Sequence, residues 1–383
     1  MKKIIHINTS TPLGGWQANT PRGWAPYVAK TLKKYYPKCE IECWSPESAT
    51  TKYYFFKENG ITFRFFPSVS IFGRELSLSL LNNLKEEIKK NSCLLHLHAY
   101  HNWMGYAIAS LFGNRVPIVA QHHGDRAPID FSTSVRKASA PLLLTELFIE
   151  RFCLKKMWQF FVLSDNEKNY LAKFAKKSVI KFQPLPINTK IFRPTGKNTA
   201  KQALNIPHNT KLILTVASLS KLKGIEYLLH ALPKIRENYN CKLIILGKDR
   251  GYKKILEQTI DKLKINDFVT FNWIDKPKIL AKFYSAANVF VLPSLSEGAP
   301  VSIMEALSCG LPVIATKVGG IPKILANQNI GVLVEPANPK ALADAIKYVF
   351  KNYKKFNACR TYAKNHFDEK IIALKTKEIY ETI

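Results

Sequence analysis

Short apolar runs alternate with longer amphipathic stretches along almost the whole chain, and this alternation constrains the fold more than any other feature. In the first half, the apolar runs predict strands at residues 4–8, 94–98, 118–121 and 160–164. In the second half they predict strands at residues 212–217, 243–246, 269–272, 289–292, 313–315 and 331–334. Runs such as KLILTVA and NVFVLP show no polar alternation, which is typical of strands buried on both faces of a sheet. The chain is therefore predicted to be an α/β protein with parallel sheets.

The segment PLPINTKIFRP, residues 184–194, is the favoured domain boundary, because its three prolines lack backbone donors and bias their neighbours to extended forms. Each half is large enough for its own core. We expect an N-terminal Rossmann-like domain at 1–187 and a C-terminal one at 188–365, facing each other across a cleft. A last helix within 366–383 is expected to pack back on the N-terminal domain. Ligands of such folds bind where parallel strands end.

The charge of the chain is strongly positive, with 57 Lys and Arg against 28 Asp and Glu and a net charge of +29. Such charge favours nucleotides, nucleic acid or anionic lipid as partners, although a Lys-rich solvated exterior is the alternative. No helix-turn-helix, zinc finger or RNA-binding motif supports a nucleic-acid partner. The seven cysteines are expected to be buried, and their spacing suggests no disulfide framework. The lack of such a framework favours the reducing cytoplasm over secretion. The opening MKKIIHINTS is predicted to be a strand and not a secretory signal.

One segment, VLPSLSEGAPVSIMEALSCGLPVIATKVGGIP at residues 291–322, has the pattern of a ligand site. A buried strand ends at Leu292, a small-residue loop follows, and a helix is predicted to begin near Pro300. Free amides at the start of that helix would form a seat for phosphate. Glu297 and Glu305 flank this seat and could accept hydrogen bonds from sugar hydroxyls. On spacing alone, an ordinary turn with Glu297 near a helix start remains the alternative.

The same segment resembles the signature of the retaining glycosyltransferases of family 4, which have the GT-B fold. The positions that agree with the signature are Pro293, Ser294, Glu297, Gly298, Pro300, Glu305, Ala306, Gly310, Pro312, Val313, Thr316, Gly319 and Gly320. The resemblance implies that Glu297 is catalytic and binds hydroxyls of the donor sugar, and that Glu305 binds the nucleotide ribose. It also implies that backbone amides contact the sugar and the diphosphate. These donor-binding positions are Gly298, Ala299, Pro300 and Val301.

A second stretch, LTVASLSKLKGIEYLLHALPKI at residues 214–235, resembles the family pattern VGRLxxxKGxxxLxxA. The resemblance implies that Lys223 contacts the donor diphosphate; an exposed lysine at a helix start is the alternative. Ser218, also assigned to the donor site, stands where the family often has Arg. Lys221 or the helix dipole would then supply the charge that a second cation would have contributed.

The first half resembles the family less closely. TPLGGWQ is similar to its glycine loop, where the backbone of Gly15 would approach the donor phosphate and the acceptor. PIVAQHHGD places His123 at the active-site histidine, with His122 as the alternative in a shifted frame. A cluster of histidines has ligand types that suit zinc, but such side chains serve hydrogen bonding equally well. Its members are His96, His98, His101, His122 and His123.

The resemblance implies a retaining transferase that moves a sugar from a UDP- or GDP-linked donor to a glycan or lipid-linked acceptor. No metal or other cofactor is expected, because the chain has no Asp-x-Asp pair to hold a bridging ion. Lys223, amides and helix dipoles would neutralise the leaving diphosphate. The alternatives are a GT-B-shaped sugar-nucleotide epimerase and a charge-driven nucleic-acid-binding protein.

Basic and aromatic residues are interleaved in two segments, which suits the headgroup layer of an anionic membrane. Residues 151–197 hold 11 basic and 2 acidic side chains. Aromatic residues interleaved with these charges are Trp158, Phe160, Phe161, Tyr170 and Phe174. The second segment, residues 30–38, contains Lys30, Lys33, Lys34, Tyr35, Tyr36 and Lys38. The protein is therefore predicted to be cytoplasmic and peripheral at the inner face of the cell membrane. The alternative is that these lysines only keep the surface solvated and that the aromatic residues belong to the protein core.

Overall fold

The computed structural model describes residues 3–9, 23–48, 50–71, 74–98, 100–123 and 140–383. The chain divides into two compact units, each with its own sheet and helices. The first unit, the N-terminal unit, consists of Met1–Pro186 together with Ile372–Ile383, and the second, the C-terminal unit, consists of Ile187–Ile371. The predicted parallel-sheet α/β class is therefore confirmed for both halves of the chain.

The N-terminal unit contains an eight-stranded sheet in the order β10-β9-β8-β7-β1-β2-β4-β3. All neighbours pair in parallel except β3 and β4, which are antiparallel. The described residues of this unit form ten strands, including the small hairpin β5-β6: β1 Lys3–Asn8, β2 Ile41–Glu47, β3 Tyr54–Glu58, β4 Ile61–Pro67, β5 Val69–Ile71, β6 Arg74–Leu76, β7 Cys93–His98, β8 Ile118–Gln121, β9 Gln159–Val162 and β10 Val179–Phe182. Its helices are α1 Trp24–Tyr35, α2 Leu78–Lys90, α3 Trp103–Phe112, α4 Ala140–Leu154 and α5 Asp165–Phe174.

The register of the central strands places histidines side by side. His6 of β1 pairs with His96 of β7, and His98 at the end of β7 pairs with Gln121 of β8. Since alternate residues of a strand point to the same face, His96 and His98 share one face. His123 follows β8 by two residues. The order of the strands therefore brings together histidines that are far apart in the chain.

The two faces of this sheet carry separate apolar clusters. Phe161 packs with Ile4 and Leu94 on one face, where the last helix also contributes Ala373 and Tyr380. Phe160 packs in the other cluster. The prediction that Phe160, Phe161 and Tyr170 lie in a headgroup layer is wrong for this reason: all three side chains are buried in the protein core. All seven cysteines are buried and free, as predicted.

The C-terminal unit contains a six-stranded sheet, parallel throughout, in the order β13-β12-β11-β14-β15-β16. Its strands are β11 Lys211–Val216, β12 Cys241–Leu246, β13 Val269–Asn272, β14 Val289–Leu292, β15 Val313–Thr316 and β16 Gly331–Val334. The helices from here to the chain end are α6 Lys197–Ala203, α7 Ile225–Arg236, α8 Lys253–Leu263, α9 Pro277–Ala286, α10 Val301–Ser308, α11 Ile321–Ile324, α12 Pro339–Lys351, α13 Cys359–His366 and α14 Glu369–Thr382. The ten predicted strands are all present, within two residues at each end.

Six strands among the described residues were not predicted from the sequence: β2, β10 and the hairpins β3-β4 and β5-β6. β2 contains Pro46 and two glutamates, which obscure a strand pattern, and β10 is largely exposed. The hairpin β3-β4 turns at Asn59 and Gly60, which have φ values of 52° and 73°. Asn-Gly between apolar runs is a strong hairpin signal. Among the described residues, no helix combines the length and the apolar character that crossing a bilayer requires.

Candidate functional site

Three loops of the C-terminal unit meet at the carboxyl ends of β11, β14 and β15. Gly224, at the end of the first loop, has a φ of +58°, and a Cβ on it would lie 2.1 Å from the carbonyl oxygen of Pro293. Leu295 of the second loop donates its amide hydrogen to the carbonyl of Leu222, at 2.8 Å. The loop after β11 and the loop after β14 are thus held in direct backbone contact, which only glycine permits at position 224.

The loop after β15 closes on the same place. Gly319 has a φ of +54°, and a Cβ on it would lie 1.6 Å from the carbonyl oxygen of Glu297. The amide of Gly320 donates to the carbonyl of Gly298 at 2.7 Å. Thr316, the last residue of β15, donates its hydroxyl hydrogen to the carbonyl of Ser294. The backbone around Glu297 is therefore fixed from both neighbouring strands.

The carboxylate of Glu297 is the centre of this arrangement. Its Oε1 accepts hydrogen bonds from Lys223 Nζ and from Ser294 Oγ, each at 2.7 Å. The Glu297 side chain is 8% exposed and that of Lys223 is 24% exposed. A partly exposed ammonium beside a nearly buried carboxylate provides a cation for a phosphate and an acceptor for a hydroxyl in one place. The structure thus brings together two residues that the sequence placed 74 positions apart.

Helix α10 begins at Val301, next to the predicted start near Pro300, and Pro300 is its N-cap and not its first helical residue. Ala299 and Pro300 are buried, whereas Gly298 and Val301 are partly exposed. The first amides of a helix have no intrahelical acceptor and lie at its positive end. The amides of Gly298, Ala299 and Val301 can therefore donate to an anion near Glu297, whereas Pro300 has no backbone N–H.

Glu305, the second carboxylate of the motif, lies one turn into α10. Its Oε2 accepts a hydrogen bond from the hydroxyl of Tyr284 in α9, at 2.8 Å. Burial of the carboxyl raises the pKa of Glu305 to about 7, while the bond from Tyr284 acts in the opposite direction. Near neutral pH this carboxyl therefore exists in both protonation states, and it can donate as well as accept a hydrogen bond.

The loop of Ser218 is joined to the loop after β12. Leu219 donates to the carbonyl of Lys248, and Arg250 donates back to the carbonyl of Leu219, at 2.9 and 3.0 Å. Asp249 holds the turn by accepting three backbone amide hydrogens through its Oδ1. Lys248 and Arg250, both exposed, therefore stand in the loop that pairs with the Ser218 loop, where sequence reasoning had considered only Lys221 as a further cation.

His123 lies in the N-terminal unit, immediately after β8. Its Nε2 lies 2.7 Å from Nδ1 of His98, and its ring stacks on Trp24 at a centroid distance of 6.2 Å. Burial lowers the pKa of His123 to about 3, so its imidazole is neutral at physiological pH. Gly15, the other site residue predicted in this half, lies outside the described residues.

His122 has different partners from His123. Its Nδ1 lies 3.9 Å from Oε1 of Glu167, and its ring meets the rings of Tyr100 and His101 edge-on. Burial raises the pKa of Glu167 and lowers that of His122 to about 3. The two adjacent histidines therefore have different partners: His122 lies beside Glu167, Tyr100 and His101, and His123 lies beside His98.

Among the described residues, His6, His96 and His98 form a group whose ligand atoms all lie within 4.8 Å of one another. These three side chains are buried, and imidazole nitrogen is a good zinc ligand. However, both ring nitrogens of His98 lie within hydrogen-bonding distance of other histidines, His6 and His123. The geometry is therefore also that of a hydrogen-bonded chain, and the expected absence of a metal stays a prediction.

Comparison with known proteins identifies the second unit. Residues 196–366 match the family model of the glycosyl transferases group 1. The C-terminal unit is a group 1 glycosyl transferase domain. The residues that line the group 1 domain's three loops, from Ser218 to Gly320, all fall within the matched range.

Individual relatives agree with this assignment. An uncharacterized glycosyltransferase of Methanocaldococcus jannaschii is 33% identical over 187 residues, which cover 47% of each chain. The chain thus spans about half the length of this curated relative, and 55% of that of the next. The N-acetyl-alpha-D-glucosaminyl L-malate synthase of Bacillus anthracis is 25% identical over 80% of this chain and 78% of its own.

A solved structure extends the likeness to the whole fold. The Anabaena protein HepE, crystallised in complex with UDP, superposes with a TM-score of 0.75 at 18% identity, covering 100% of both chains. At this identity the likeness concerns the fold alone. It confirms the predicted GT-B fold class, in which the group 1 domain is the second of two Rossmann-like units.

Two side chains of the group 1 domain were not assigned a role from the sequence. Ser294 stands in the motif, and its spacing of three residues from Glu297 was the available signal for a contact. Tyr284 is 21 residues from Glu305 and belongs to no motif, so no feature of the sequence pointed to it. Both donate to a carboxylate and therefore orient the two acidic groups of the site.

Proposed function

We propose that the protein is a retaining glycosyltransferase that moves a sugar from a nucleotide-sugar donor to a glycan or lipid-linked acceptor without a metal ion. The observation that carries this proposal is the contact between Lys223 and Glu297 in front of the first amides of α10. A nucleotide sugar needs cationic groups for its diphosphate and acceptors for its hydroxyls. The group 1 domain supplies both within one set of loops.

The diphosphate of the donor would lie against Lys223 and the backbone from Gly298 to Val301. Charge on the leaving diphosphate grows as the glycosidic bond breaks, and donors that are already oriented stabilise it without reorganisation. Lys248 and Arg250 are additional cations on the paired loop. This inventory supports neutralisation by the protein itself, which is why no metal ion is part of the proposal.

The sugar and the ribose would bind to the two carboxylates. Glu297, held by Ser294 and Lys223, would accept hydrogen bonds from sugar hydroxyls. Glu305, oriented by Tyr284, would bind the ribose. The solved Anabaena protein has also been crystallised with UDP-glucose, which supports a nucleotide-sugar donor for this fold. The experiment below determines whether the donor carries UDP or GDP.

Retention would follow from attack by the acceptor on the face that the diphosphate leaves. The leaving phosphate oxygen would take the proton of the acceptor hydroxyl, so no protein base is required for that step. His123 is neutral because of its burial. It would act as a hydrogen-bonding group beside the reacting sugar and not as a charged acid.

A surface of α4 and the segment after it supports the membrane part of the proposal. Phe148, Phe152 and Trp158 are 75%, 50% and 51% exposed. Lys156 Nζ lies 4.5 Å from the centre of the Phe152 ring, and Arg151 is exposed on the same helix. Aromatic side chains next to cations suit the headgroup layer of anionic lipid. We therefore propose that the enzyme works peripherally at the cytoplasmic face of the membrane, on an acceptor anchored there.

A donor panel tests the enzymatic proposal. UDP- and GDP-sugars are added to the full chain, and the melting temperature is recorded, since a ligand that binds the native state raises it. We expect one donor class to stabilise the wild type and to stabilise the Lys223→Ala variant less. Lys262→Ala, which removes an exposed lysine near the end of α8, is the control.

The product then decides the reaction. With the stabilising donor and an acceptor, the anomeric configuration of the product is read by NMR, and retention is expected. Conversion of the donor to another sugar nucleotide without any acceptor would show an epimerase instead. Stabilisation by no donor, or equal stabilisation of the Lys223→Ala variant, would contradict the donor site.

Vesicle sedimentation tests the membrane proposal. We expect the wild type to pellet with anionic vesicles at low salt and to be released at about 0.5 M salt, because salt screens the attraction. The double variant Phe148→Ser, Phe152→Ser should pellet less. Phe55→Ser, which changes another exposed phenylalanine on the edge strand β3, should pellet like the wild type. Equal pelleting of all three proteins, or none with anionic lipid, would leave the patch without a role.

A further inference from the structure

Three histidines of the N-terminal unit form a continuous hydrogen-bonded chain that ends at His123. His6 Nδ1 lies 3.0 Å from His98 Nε2, and His98 Nδ1 lies 2.7 Å from His123 Nε2. The ring centroids of neighbours are 5.3 and 5.0 Å apart, and their ring planes are inclined by 28° and 7°. His6 and His98 are 0% and 1% exposed. The chain therefore runs from the interior of the sheet to the residue proposed beside the sugar.

Each contact of the histidine chain holds a single hydrogen, on one of its two nitrogens. The tautomer of one histidine therefore fixes the tautomers of the other two. A neutral imidazole carries a hydrogen on one nitrogen and a lone pair on the other. Burial keeps His6, His98 and His123 neutral, because it lowers the pKa of each. If His6 donates from Nδ1, His98 must also donate from Nδ1, and His123 must accept at Nε2. The hydrogen of His123 then lies on its Nδ1.

The inner end of the chain selects this direction. Nε2 of His6 is buried and has no hydrogen-bond partner among the described residues. In the opposite direction this nitrogen would carry a buried hydrogen without an acceptor, and such orphaned donors are rarer in native proteins than under-used acceptors. In the favoured direction it carries only a lone pair. The hydrogen that remains without a protein partner is then on Nδ1 of His123, which is also buried and unpartnered among the described residues. A substrate oxygen bound beside His123 would supply the acceptor for this hydrogen, and no such ligand is proposed beside His6.

We propose that His6 and His98 are positioning residues that fix His123 as the Nδ1–H tautomer, a neutral hydrogen-bond donor to an oxygen of the bound donor substrate. The inference rests on the proposed role of His123 beside the reacting sugar. Without the histidine chain, His123 would divide between two tautomers, and the fraction with a lone pair on Nδ1 could not donate a hydrogen bond to a sugar or phosphate oxygen. Successive members of the histidine chain are 92 and 25 residues apart in the sequence, and together they set the direction of the hydrogen bond that His123 makes.

His96 provides a matched control for this chain. It is as buried as His6, lies on the same sheet face, and stacks on His98 at a centroid distance of 4.2 Å. Its Nδ1 bonds to the hydroxyl of Tyr380 and not to a histidine of the chain. His6→Phe and His96→Phe thus make the same substitution in the same cluster, and only the first removes a member of the chain.

Nitrogen NMR of protein labelled with ¹⁵N-histidine tests the proposal, because the two tautomers give different patterns at the ring nitrogens. In the wild type we expect a hydrogen on Nδ1 and a bare Nε2 for His6, His98 and His123. His6→Phe should change the pattern of His98 and His123, whereas His96→Phe should leave the pattern of His123 as it is. A hydrogen on Nε2 of His123 in the wild type would overturn the proposal, and this reading needs no variant to fold.

Kinetics and zinc analysis complete the test. His6→Phe should lower kcat about two- to tenfold, because this is the contribution expected from one neutral hydrogen bond. Its affinity for the nucleoside diphosphate should not change. His96→Phe should not lower kcat. An equal loss of kcat in both variants would indicate a purely structural role. Stoichiometric zinc in the wild type that is absent from His6→Phe would show that these histidines are metal ligands. Either result overturns the proposal. If no donor reacts at all, the proposed function fails, while the NMR pattern still decides the tautomer chain.

Discussion

Replacing Glu305 by Gln should change how the stability of the protein depends on pH. In the folded protein, burial raises the pKa of the Glu305 carboxyl from its ordinary value of 4.5 to about 7. Each pKa unit corresponds to about 1.4 kcal/mol of free energy, so ionising this buried group lowers the free energy of unfolding by about 3 kcal/mol. Gln is neutral at every pH and avoids this cost.

The sign follows from the direction of the shift. Because the pKa is raised in the folded state, the wild type has its full stability from this group below pH 4.5 and loses it as the pH rises to about 7. The buried histidines titrate in the opposite sense, since their pKa values are lowered. They are present in both proteins, however, and cancel when the Gln variant is compared with the wild type.

Urea unfolding followed by circular dichroism at pH 4.5, 6, 7 and 8 measures the difference. We expect Glu305→Gln to gain about 3 kcal/mol relative to the wild type between pH 4.5 and 8. Tyr284→Phe is the companion variant: it removes the hydrogen bond that lowers the pKa of Glu305, so the loss of stability should move to higher pH. A difference between Glu305→Gln and wild type that stays constant over this pH range would refute the reasoning.

Four further predictions concern the site. Glu297→Gln should lower turnover by about two orders of magnitude while the fold is retained, because a contact that is stronger in the transition state acts on rate; wild-type activity would remove Glu297 from the site. Ser218→Arg should tighten the binding of a free nucleoside diphosphate, since Arg can contact phosphate through two bonds, and calorimetry measures this. His123→Ala should lose activity but keep its affinity for the nucleotide, and loss of both would place it at the base. Activity should survive excess EDTA, and a loss that manganese or magnesium restores would contradict a metal-independent mechanism.

The group 1 domain was largely predictable because its site is local in sequence. Each loop of a parallel α/β unit follows its own strand, so the 32 residues from Val291 to Pro322 contain strand, loop, helix and next strand in order. Glu297, Ser294 and the helix start could be read from that one segment. Glycines at 224 and 319 were part of the motif, but their physical reason, contact with neighbouring backbone, appears only in three dimensions.

The edge of the N-terminal sheet was less predictable, although part of its signal was present. Asn59 and Gly60 between the runs YYFFKE and ITFRFF indicate a two-residue hairpin, and they do form the turn between β3 and β4. Strand β10 has no comparable signal, since its residues are exposed or half-exposed and its pattern is short. Residues of an edge strand are less buried than those of a central strand. The hydrophobic periodicity of a sequence reflects burial, so it identifies edge strands less well.

The histidine cluster could not be assembled from the sequence, because the strand order decides which histidines meet. β1 lies between β2 and β7, so His6 is adjacent to His96 and His98 although about ninety residues separate them. The sequence predicted His98 at the end of a strand and His123 at the active-site position, but it pointed to no role for His6. Long-range parallel pairing places a buried His6 behind His98 and His123. The motif residues proposed to contact the substrate are therefore recognisable from the sequence, whereas the residues proposed to set the tautomer of His123 are recognisable only from the strand order.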